Sequence, residues 1–379
     1  MSWINKISSL FKDLAIILMI FLFIFILGHY LIQGAVIAKR VTLGLPIDDL
    51  LILDYNFGEF DEAVDKKKVH PWYYWRRFEI ENEKVSVDKN GIRKTIKQPN
   101  NNAKKIFILG GSTTWGSGVD DYNTIPSLLQ KKLGNNFDVY NFGESGYMSI
   151  QETNYLLEKL SEGNIPDIVI FYDGHNDGYT SLYSPGVPRE PSRVRTRFNR
   201  YNKMINFSFT DHIFEAIKRT GWGALFNYVT YGRSDGPERT PFSSNWDATI
   251  VDQSIPGKIE KTLNYWTHNV RQINAIGKEY GFKTYSFWQP NPLNESKKLT
   301  QDEKNAIGNR VSNKGYRVFK DLYIASSKRL KDKENLGIHW IGDIFQNNSE
   351  SLYIDFIHLN KYGNKLIADR MYSVLNEEK

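Results

Sequence analysis

The sequence predicts an α/β fold in which one parallel β-sheet has helices packed on both faces. From about residue 104, short apolar runs alternate with helical patterns. The run at 167–172 is apolar after its first residue, as expected of a central parallel strand buried on both faces. Glycine-containing polar fragments follow three of these runs. Because ligands of such sheets bind at the carboxyl ends of the strands, we expect the fragments to line one crevice.

The predicted elements follow a regular order within residues 104–375, which we interpret as one domain. The strands are expected at 106–109, 137–141, 167–172 and 283–289. The helices are expected at 123–133, 151–160, 262–280, 315–331 and 361–375. In the last helix, apolar side chains recur at helical spacing: Leu366, Ile367, Met371 and Val374.

Residues 180–259 interrupt this order with proline, glycine, arginine and aromatic residues, and we interpret them as an insertion. The insertion contains a cluster of basic side chains: Arg189, Arg193, Arg195, Arg197, Arg200 and Lys203. A solvated basic face would account for this cluster. The alternative is a functional role, as a lid or as a contact for anionic glycans or phospholipid headgroups.

Residues 1–40 are predicted to be a membrane anchor, followed by a membrane-proximal lead at 41–103. The stretch 14–38 is nearly all apolar, and about 25 residues are enough to cross a bilayer as a tilted helix. A cleaved signal peptide is the alternative, although its apolar region would be shorter. Lysines before the stretch are balanced by Lys39 and Arg40 after it, so the charges do not fix the orientation. We expect the remaining chain to lie outside the cytoplasm.

Composition excludes several classes of function. The chain has 49 basic and 43 acidic residues, and its net charge of +6 indicates no nucleic-acid footprint. It contains no cysteine, which excludes disulfides, a thiol nucleophile and a thiolate zinc site. We expect neither a cofactor nor a metal ion.

Ser112 follows the apolar run at 105–109 and two glycines, a position suited to a nucleophile at the end of a strand. A serine hydroxyl is a weak nucleophile at neutral pH and needs a base. His358 is the best candidate, because Asp355 precedes it by three residues and a single turn brings that carboxylate to the ring. An aspartate and a histidine at this spacing also occur together as a capping pair at a helix entry.

Acyl transfer requires hydrogen-bond donors aimed at the oxyanion. The candidates are the backbone N–H of Ser112, the backbone N–H of Gly146 and the side-chain amide of Asn176. Glycine and asparagine are also common turn formers, so each of the last two residues has a purely structural alternative. The case for an oxyanion site depends on all of these residues following strands of one sheet.

Residues 173–177 also admit a metal-site interpretation, because two carboxylates and an imidazole fall within this short fragment. Hydrolytic metal sites recruit further ligands from elsewhere in the chain, and no second histidine-rich motif is present. Otherwise His175 is expected beside the substrate or behind the catalytic residues, and Asp177 is expected to cap the segment that follows it.

Four fragments resemble, in the right order, the four motif blocks of the SGNH, or GDSL-like, hydrolase superfamily. These fragments are residues 111–114, 141–146, 174–177 and 355–358. The resemblance spans roughly residues 104–375 and implies a flavodoxin-like three-layer fold. It assigns the catalytic and oxyanion roles to Ser112, Gly146, Asn176 and His358, with Asp355 orienting the histidine.

Two further segments extend the resemblance. Residues 85–93 are similar to a lead segment of membrane-anchored bacterial members, and residues 287–290 are similar to their fourth strand. The chain departs from the pattern at Gly111, where the motif that names the family has an aspartate before the serine. The departure concerns the hydrogen bonding beneath the serine turn.

These observations predict a membrane-anchored serine esterase that removes acyl groups, with O-acetyl as the expected group, from an envelope glycan or lipid. The resemblance and the anchor imply this substrate, and no nucleic acid is expected as a partner. An O-acyltransferase acting on surface polysaccharide would use the same residues. A non-catalytic, anchored glycan-binding protein on the same scaffold is the other alternative.

Overall fold

The computed structural model describes residues 2–42, 67–70, 72–96, 99–183, 222, 225, 229, 255–294, 296–308 and 314–377. The chain divides into two units, one made of residues 1–55 with 197–243 and the other of residues 56–196 with 244–379. The predicted basic cluster and most of the predicted insertion lie outside the described residues.

The helices and strands are, in chain order, α1 (Ser2–Thr42), β1 (Lys67–His70), β2 (Tyr74–Arg77), β3 (Ile80–Glu81), β4 (Ser86–Val87), β5 (Lys104–Gly110), α2 (Ser112–Trp115), α3 (Ile125–Leu133), β6 (Phe137–Gly143), α4 (Ser149–Ser161), β7 (Ile168–Asp173), α5 (His175–Tyr183), α6 (Ile255–Tyr280), β8 (Lys283–Trp288), α7 (Gln301–Ile307), α8 (Lys314–Leu330), β9 (Ile338–Trp340) and α9 (Lys361–Glu377).

Strands β5 to β9 form one sheet in the order β6-β5-β7-β8-β9, and all neighbours are parallel. This is the doubly wound order in which the chain starts near the middle of the sheet, moves to one edge and then returns to build the other. The predicted α/β fold class is therefore confirmed.

The sheet lies between two apolar layers because successive side chains of a strand point to opposite faces. In β5, Ile106 and Ile108 pack in one cluster with the apolar sides of α3 and α9. Phe107 and Leu109 pack in a second cluster with α4, α6 and the lead. The arrangement has three layers, and the carboxyl ends of its strands form one edge.

Several described elements were not predicted from the sequence, namely strands β1 to β4 and β9 and helices α2, α5 and α7. Strand β9 has only three residues and is enclosed by Gly337 and Gly342, so no alternating pattern develops. The helix expected at 123–133 begins at Ile125 instead, because Thr124 is its N-cap and accepts a hydrogen bond from the Ser127 N–H at 3.2 Å.

The lead forms two short antiparallel pairs, β1 with β2 and β3 with β4. Beyond β4, Arg93 makes a bridge to Asn141 of the edge strand β6. Trp75 belongs to the same apolar cluster as Phe107 of the central strand. Residues 72–96 therefore pack directly on the sheet domain.

The other unit contains α1, whose segment Phe11–Ile32 is long and apolar enough to cross a membrane, with a mean hydropathy of 2.7. Within the same unit, Trp222 stacks on Phe25 and donates a hydrogen bond from Nε1 to the Phe25 carbonyl at 3.0 Å. The predicted anchor thus corresponds to a continuous helix.

Candidate active site

Ser112 is the first residue of α2 and lies immediately beyond the end of β5. The first N–H groups of any helix have no partner within that helix, so the Ser112 turn presents donors at this edge of the sheet. Gly111 lies close to Asn176: a Cβ atom at this position would be 2.4 Å from Nδ2 of Asn176, so a larger residue would displace that amide. The departure from the family pattern at this position therefore makes room for the asparagine amide.

The structure brings Ser112, His358 and Asp355 together. The Oγ atom of Ser112 lies 2.7 Å from His358 Nε2, and His358 Nδ1 lies 2.6 Å from Asp355 Oδ2. The other oxygen of Asp355 accepts hydrogen bonds from the backbone N–H groups of Ile357 and His358, both at 2.7 Å. These contacts orient the carboxylate toward the ring.

The protonation of the three groups follows from these contacts. Burial would raise the pKa of Asp355, but the charge of His358 and the hydrogen bonds from His358 and Ile357 lower it to about 2. Asp355 is then an acceptor only, so His358 Nδ1 carries the proton that points toward it. The Nε2 atom is left as an acceptor, and Ser112 donates its hydroxyl hydrogen to it. This is the arrangement required of a general base.

The two predicted oxyanion residues lie beside the serine turn. Gly146, in the loop after β6, has a φ angle of +78°, a left-handed conformation that favours glycine. Asn176, in the first turn of α5, donates from Nδ2 to the carbonyl of Tyr147 at 2.8 Å. A carboxamide has two N–H groups, so one donor of Asn176 is available for a further acceptor.

His175 is buried and is held by a residue that the sequence did not single out. Its Nδ1 atom lies 2.9 Å from Asn291 Nδ2, and the Asn291 oxygen accepts from the Leu293 N–H at 2.8 Å. Because the amide oxygen is used in this way, the amide nitrogen donates to Nδ1 and the His175 proton lies on Nε2. Burial, followed by the charge of His358, lowers the pKa of His175 to about 3. His175 is therefore neutral at physiological pH.

Three carboxyl groups form a buried cluster behind Asn176: Glu152, Asp173 and Asp177. Asp177 accepts from the Ser149 hydroxyl at 2.6 Å and from the Ser149 N–H, so it stands at the start of α4. It was expected to cap the segment that follows it, and the structure shows that its partner belongs to an earlier helix instead. Trp266 Nε1 donates to Asp173 at 3.3 Å.

The metal-site interpretation of residues 173–177 finds no support in the geometry. His175 faces Asn291, whereas Asp173 and Asp177 belong to the buried acid cluster. Among the residues that the structure describes, no group of three potential ligand side chains is placed to hold a metal ion.

The chain matches no protein-family model, and no curated protein matches it. Solved structures similar to it include one from Desulfitobacterium hafniense DCB-2, described as lipolytic and of the G-D-S-L family. That pair has 10% identity and a TM-score of 0.37, and the alignment covers 72% of this chain and 99% of the other.

The solved structures of two acetylesterases are also similar to this chain. An acetyl xylan esterase has 13% identity and a TM-score of 0.35, with 71% of this chain and 98% of the other covered. A carbohydrate acetylesterase family member from Sinorhizobium meliloti has 17% identity and a TM-score of 0.35, with 72% and 98% covered. Identities and TM-scores this low support no functional conclusion. The chemistry of the site must therefore be argued from its own geometry.

Proposed function

We propose that this chain is a serine esterase in which Ser112 is the nucleophile, His358 the general base and Asp355 the group that orients the histidine. The observation that carries the proposal is the unbroken series of hydrogen bonds from Ser112 Oγ through His358 to Asp355. A serine hydroxyl becomes a useful nucleophile when a base accepts its proton. The low pKa of Asp355 keeps a negative charge beside the ring that becomes positive during the reaction.

The proposed reaction has two halves. Ser112 Oγ attacks the ester carbonyl carbon, its proton moves to His358 Nε2, and the carbonyl oxygen becomes an oxyanion. The N–H groups of Ser112, Gly146 and Asn176 stabilise that oxyanion. Collapse expels the alcohol, which takes the proton from His358 and leaves an acyl-serine. Water then gives a proton to His358 while its oxygen adds to the acyl carbon. Collapse of this second intermediate breaks the bond to Ser112 Oγ, which takes the proton back from His358, and the carboxylic acid leaves.

As the substrate class we propose acyl esters, in particular O-acetyl groups, of an envelope glycan or lipid. The apolar helix supports this, since a single-pass anchor at residues 14–38 would hold the catalytic domain near a membrane surface. The proposal divides the chain into an anchor (1–40), a lead (41–103) and a catalytic domain (104–375) with an insertion at about 180–259. It places the catalytic domain on the extracytoplasmic side.

The test is Ser112→Ala in the full-length protein. Hydrolysis of 4-nitrophenyl acetate and labelling by a fluorophosphonate should fall by about a thousandfold or more. Ser161→Ala is the matched control, because it removes a hydroxyl from the exposed end of α4, where the side chain donates to the Leu157 carbonyl at 2.9 Å. Retained labelling in Ser112→Ala would contradict the nucleophile assignment.

Hydrolysis and acyl transfer are separated by their products. A polyol acceptor added to the same assay should leave free acetate as the main product if the protein is an esterase. Acylated polyol as the main product would assign the same residues to an acyltransferase. Glycan binding unchanged by Ser112→Ala, with no turnover of any ester, would indicate the non-catalytic alternative.

The membrane side is tested by fusing reporters to the C-terminus. We expect activity from a reporter that functions only outside the cytoplasm. Activity from a reporter that functions only in the cytoplasm would contradict the proposed localisation.

A further inference from the structure

Three side chains of the lead, Trp75, Arg77 and Arg93, are buried against the two segments that carry the proposed nucleophile and oxyanion donor. Their exposed fractions are 5%, 0% and 1%. We call residues 111–119 the Ser112 turn and residues 143–147 the Gly146 loop. The sequence placed all three side chains outside the catalytic domain.

Trp75 contacts the Gly146 loop on both sides of the glycine. Its Nε1 donates to the Ser145 carbonyl at 3.1 Å, and its own carbonyl accepts a hydrogen bond from the Tyr147 hydroxyl. The indole also lies next to Gly146, since a Cβ atom there would be 3.6 Å from the ring. The Ser145–Gly146 peptide and the side chain of Tyr147 are therefore both held by one lead residue.

Arg77 is linked to the same loop through Glu144. Its Nε atom lies 3.0 Å from Glu144 Oε1, and both side chains have an exposed fraction of 0%. Glu144 in turn accepts from the Ser145 N–H at 2.9 Å and donates its own backbone N–H to the Gly110 carbonyl of β5. The loop is thus joined to the lead by an ion pair and to the central strand by its backbone.

Arg93 holds the other segment, the Ser112 turn. Its guanidinium donates to the carbonyls of Trp115 and Gly116 at 2.9 and 2.8 Å and to that of Val119 at 2.7 Å. These contacts satisfy carbonyl groups at the end of the one-turn helix that Ser112 begins. Asp121 balances the charge of Arg93 through a contact of 2.8 Å.

Trp115 connects the two sets of contacts. The guanidinium carbons of Arg77 and Arg93 lie over its ring at 3.8 and 4.3 Å from the centroid. Trp115 belongs to the Ser112 turn, whereas Arg77 is bonded to the Gly146 loop through Glu144. A shift of either segment would therefore disturb the other.

We propose that Trp75, Arg77 and Arg93 are positioning residues that fix the Gly146 loop relative to the Ser112 turn. The inference rests on the proposed esterase function and extends it. Oxyanion donors act only when they are held at hydrogen-bond distance from the developing charge, and small misplacements cost large factors in rate. A buried ion pair is weak evidence for a role in stability, and this one adjoins the residues whose geometry the reaction requires.

Trp75→Phe in the full-length protein tests the proposal with the smallest change. It keeps one aromatic ring and removes both the N–H that donates to the Ser145 carbonyl and the ring edge that lies beside Gly146. The kcat for 4-nitrophenyl acetate should fall about tenfold, with KM nearly unchanged, because the loss is confined to the transition state. The rate of fluorophosphonate labelling should fall in parallel.

Trp340→Phe is the matched control. It also removes one indole hydrogen bond, from Nε1 to the Ser326 hydroxyl at 3.0 Å, but in strand β9. Its kcat should stay within about twofold of the wild type. An unchanged kcat in Trp75→Phe, or an equal fall in both variants, would overturn the proposal.

Arg77 provides a second test. Arg77→Lys keeps a charge beside Glu144 and should retain more of the kcat than Arg77→Met, which leaves that carboxylate without its closest cationic partner. Equal kcat values in the two variants, with both folded by circular dichroism, would contradict the role of Arg77. If Arg77→Met does not fold, Trp75→Phe and its control decide alone.

Ser112→Ala separates failure of this inference from failure of the proposed function. If Ser112→Ala retains activity, the esterase assignment itself is wrong. If it abolishes activity while Trp75→Phe keeps the wild-type kcat, only the positioning role is wrong.

Discussion

Asp355 is partly buried and Asp173 is buried close to the same edge of the sheet, and their pKa values lie on opposite sides of the ordinary range. Hydrogen bonds from the ring of His358 and from two backbone N–H groups lower the pKa of Asp355 to about 2. Burial and the charge of Asp177 raise the pKa of Asp173 to about 7, although hydrogen bonds from Glu152 and Trp266 oppose this.

The difference shows how the neighbours of a carboxyl group decide what it can do. Asp355 is ionised whenever the protein is folded near neutral pH, so it can stabilise a positive imidazolium. In the acid cluster, burial and the charge of Asp173 raise the pKa of Glu152, and burial raises the pKa of Asp177 to about 6. The cluster therefore retains protons, which makes it a structural element that responds to pH.

The largest expected effect is on kcat, and it is expected from a substitution of Asp355. Asp355→Asn should lower kcat for 4-nitrophenyl acetate by on the order of a thousandfold to ten-thousandfold, because an amide no longer fixes the required tautomer of His358. Asp173→Asn is the matched control, since it makes the same chemical change in the acid cluster. We expect its kcat to stay within about tenfold of the wild type. A greater loss in Asp173→Asn than in Asp355→Asn would reverse the comparison.

A smaller effect concerns stability and pH. A carboxyl group whose pKa is raised on folding stabilises the protein below its unfolded pKa, and the contribution is lost as the pH rises through the folded pKa. For Asp173 that window runs from about 4 to about 7. The free energy of unfolding should therefore fall by on the order of 2 kcal/mol between pH 5 and pH 8.

This pH dependence is measured by urea unfolding of the full-length protein, followed by tryptophan fluorescence. Asp173→Asn should reduce the fall, because the amide does not titrate, and the part that remains comes from Glu152 and Asp177, whose pKa values are also raised. The contribution of Asp355 to the free energy of unfolding has the opposite pH dependence. It is lost only as the pH drops from about 4 toward 2. A slope between pH 5 and pH 8 that is unchanged in Asp173→Asn would show that other groups cause it.

The smallest effect is expected from Ser149, whose hydroxyl donates to Asp177 at 2.6 Å and accepts from Asn269 at 2.7 Å. Ser149→Ala should destabilise the protein by about 1 kcal/mol, and by more at pH 8 than at pH 5, since an ionised Asp177 depends more on its donors. Ser373→Ala removes a serine–glutamate hydrogen bond from the exposed face of α9 and serves as the control. A loss of stability in Ser149→Ala that does not change with pH would show that the effect of Ser149 does not depend on the titration of Asp177.

The alternation of apolar runs and helical patterns predicted the fold class because each central strand is buried on both faces. This alternation predicted four of the five strands in the sheet. It missed β9 because a strand of three residues close to two glycines is too short to show an alternating apolar pattern. The predicted helix ends were less accurate. Helix α3 was expected to begin at residue 123, but it begins at Ile125 because Thr124 is its N-cap.

The chemistry of Ser112, His358 and Asp355 was predicted from residue type and from the rule that ligands bind at strand ends, and the structure places the three side chains in contact. The low pKa of Asp355 was not predictable, because it depends on the distance to His358 and on two backbone donors. The contact between His175 and Asn291 joins residues 116 positions apart, and Asn291 belongs to none of the motif fragments.

The role of the lead could not be predicted for a related reason. From the sequence alone, an arginine near a tryptophan in a short segment would be interpreted as a solvated surface residue. Arg77 is buried only because Glu144 and Trp115, which come later in the chain, lie around it.

The 246 residues that separate Ser112 from His358 also determine when the site is completed during synthesis. At an elongation rate of about 5–20 residues per second, a ribosome adds the proposed base roughly 10 to 50 seconds after the proposed nucleophile. Until then the serine turn has no base, and a chain released early would carry a serine that does not turn over esters. In the proposed enzyme, ester hydrolysis therefore begins only after His358 has been added to the chain.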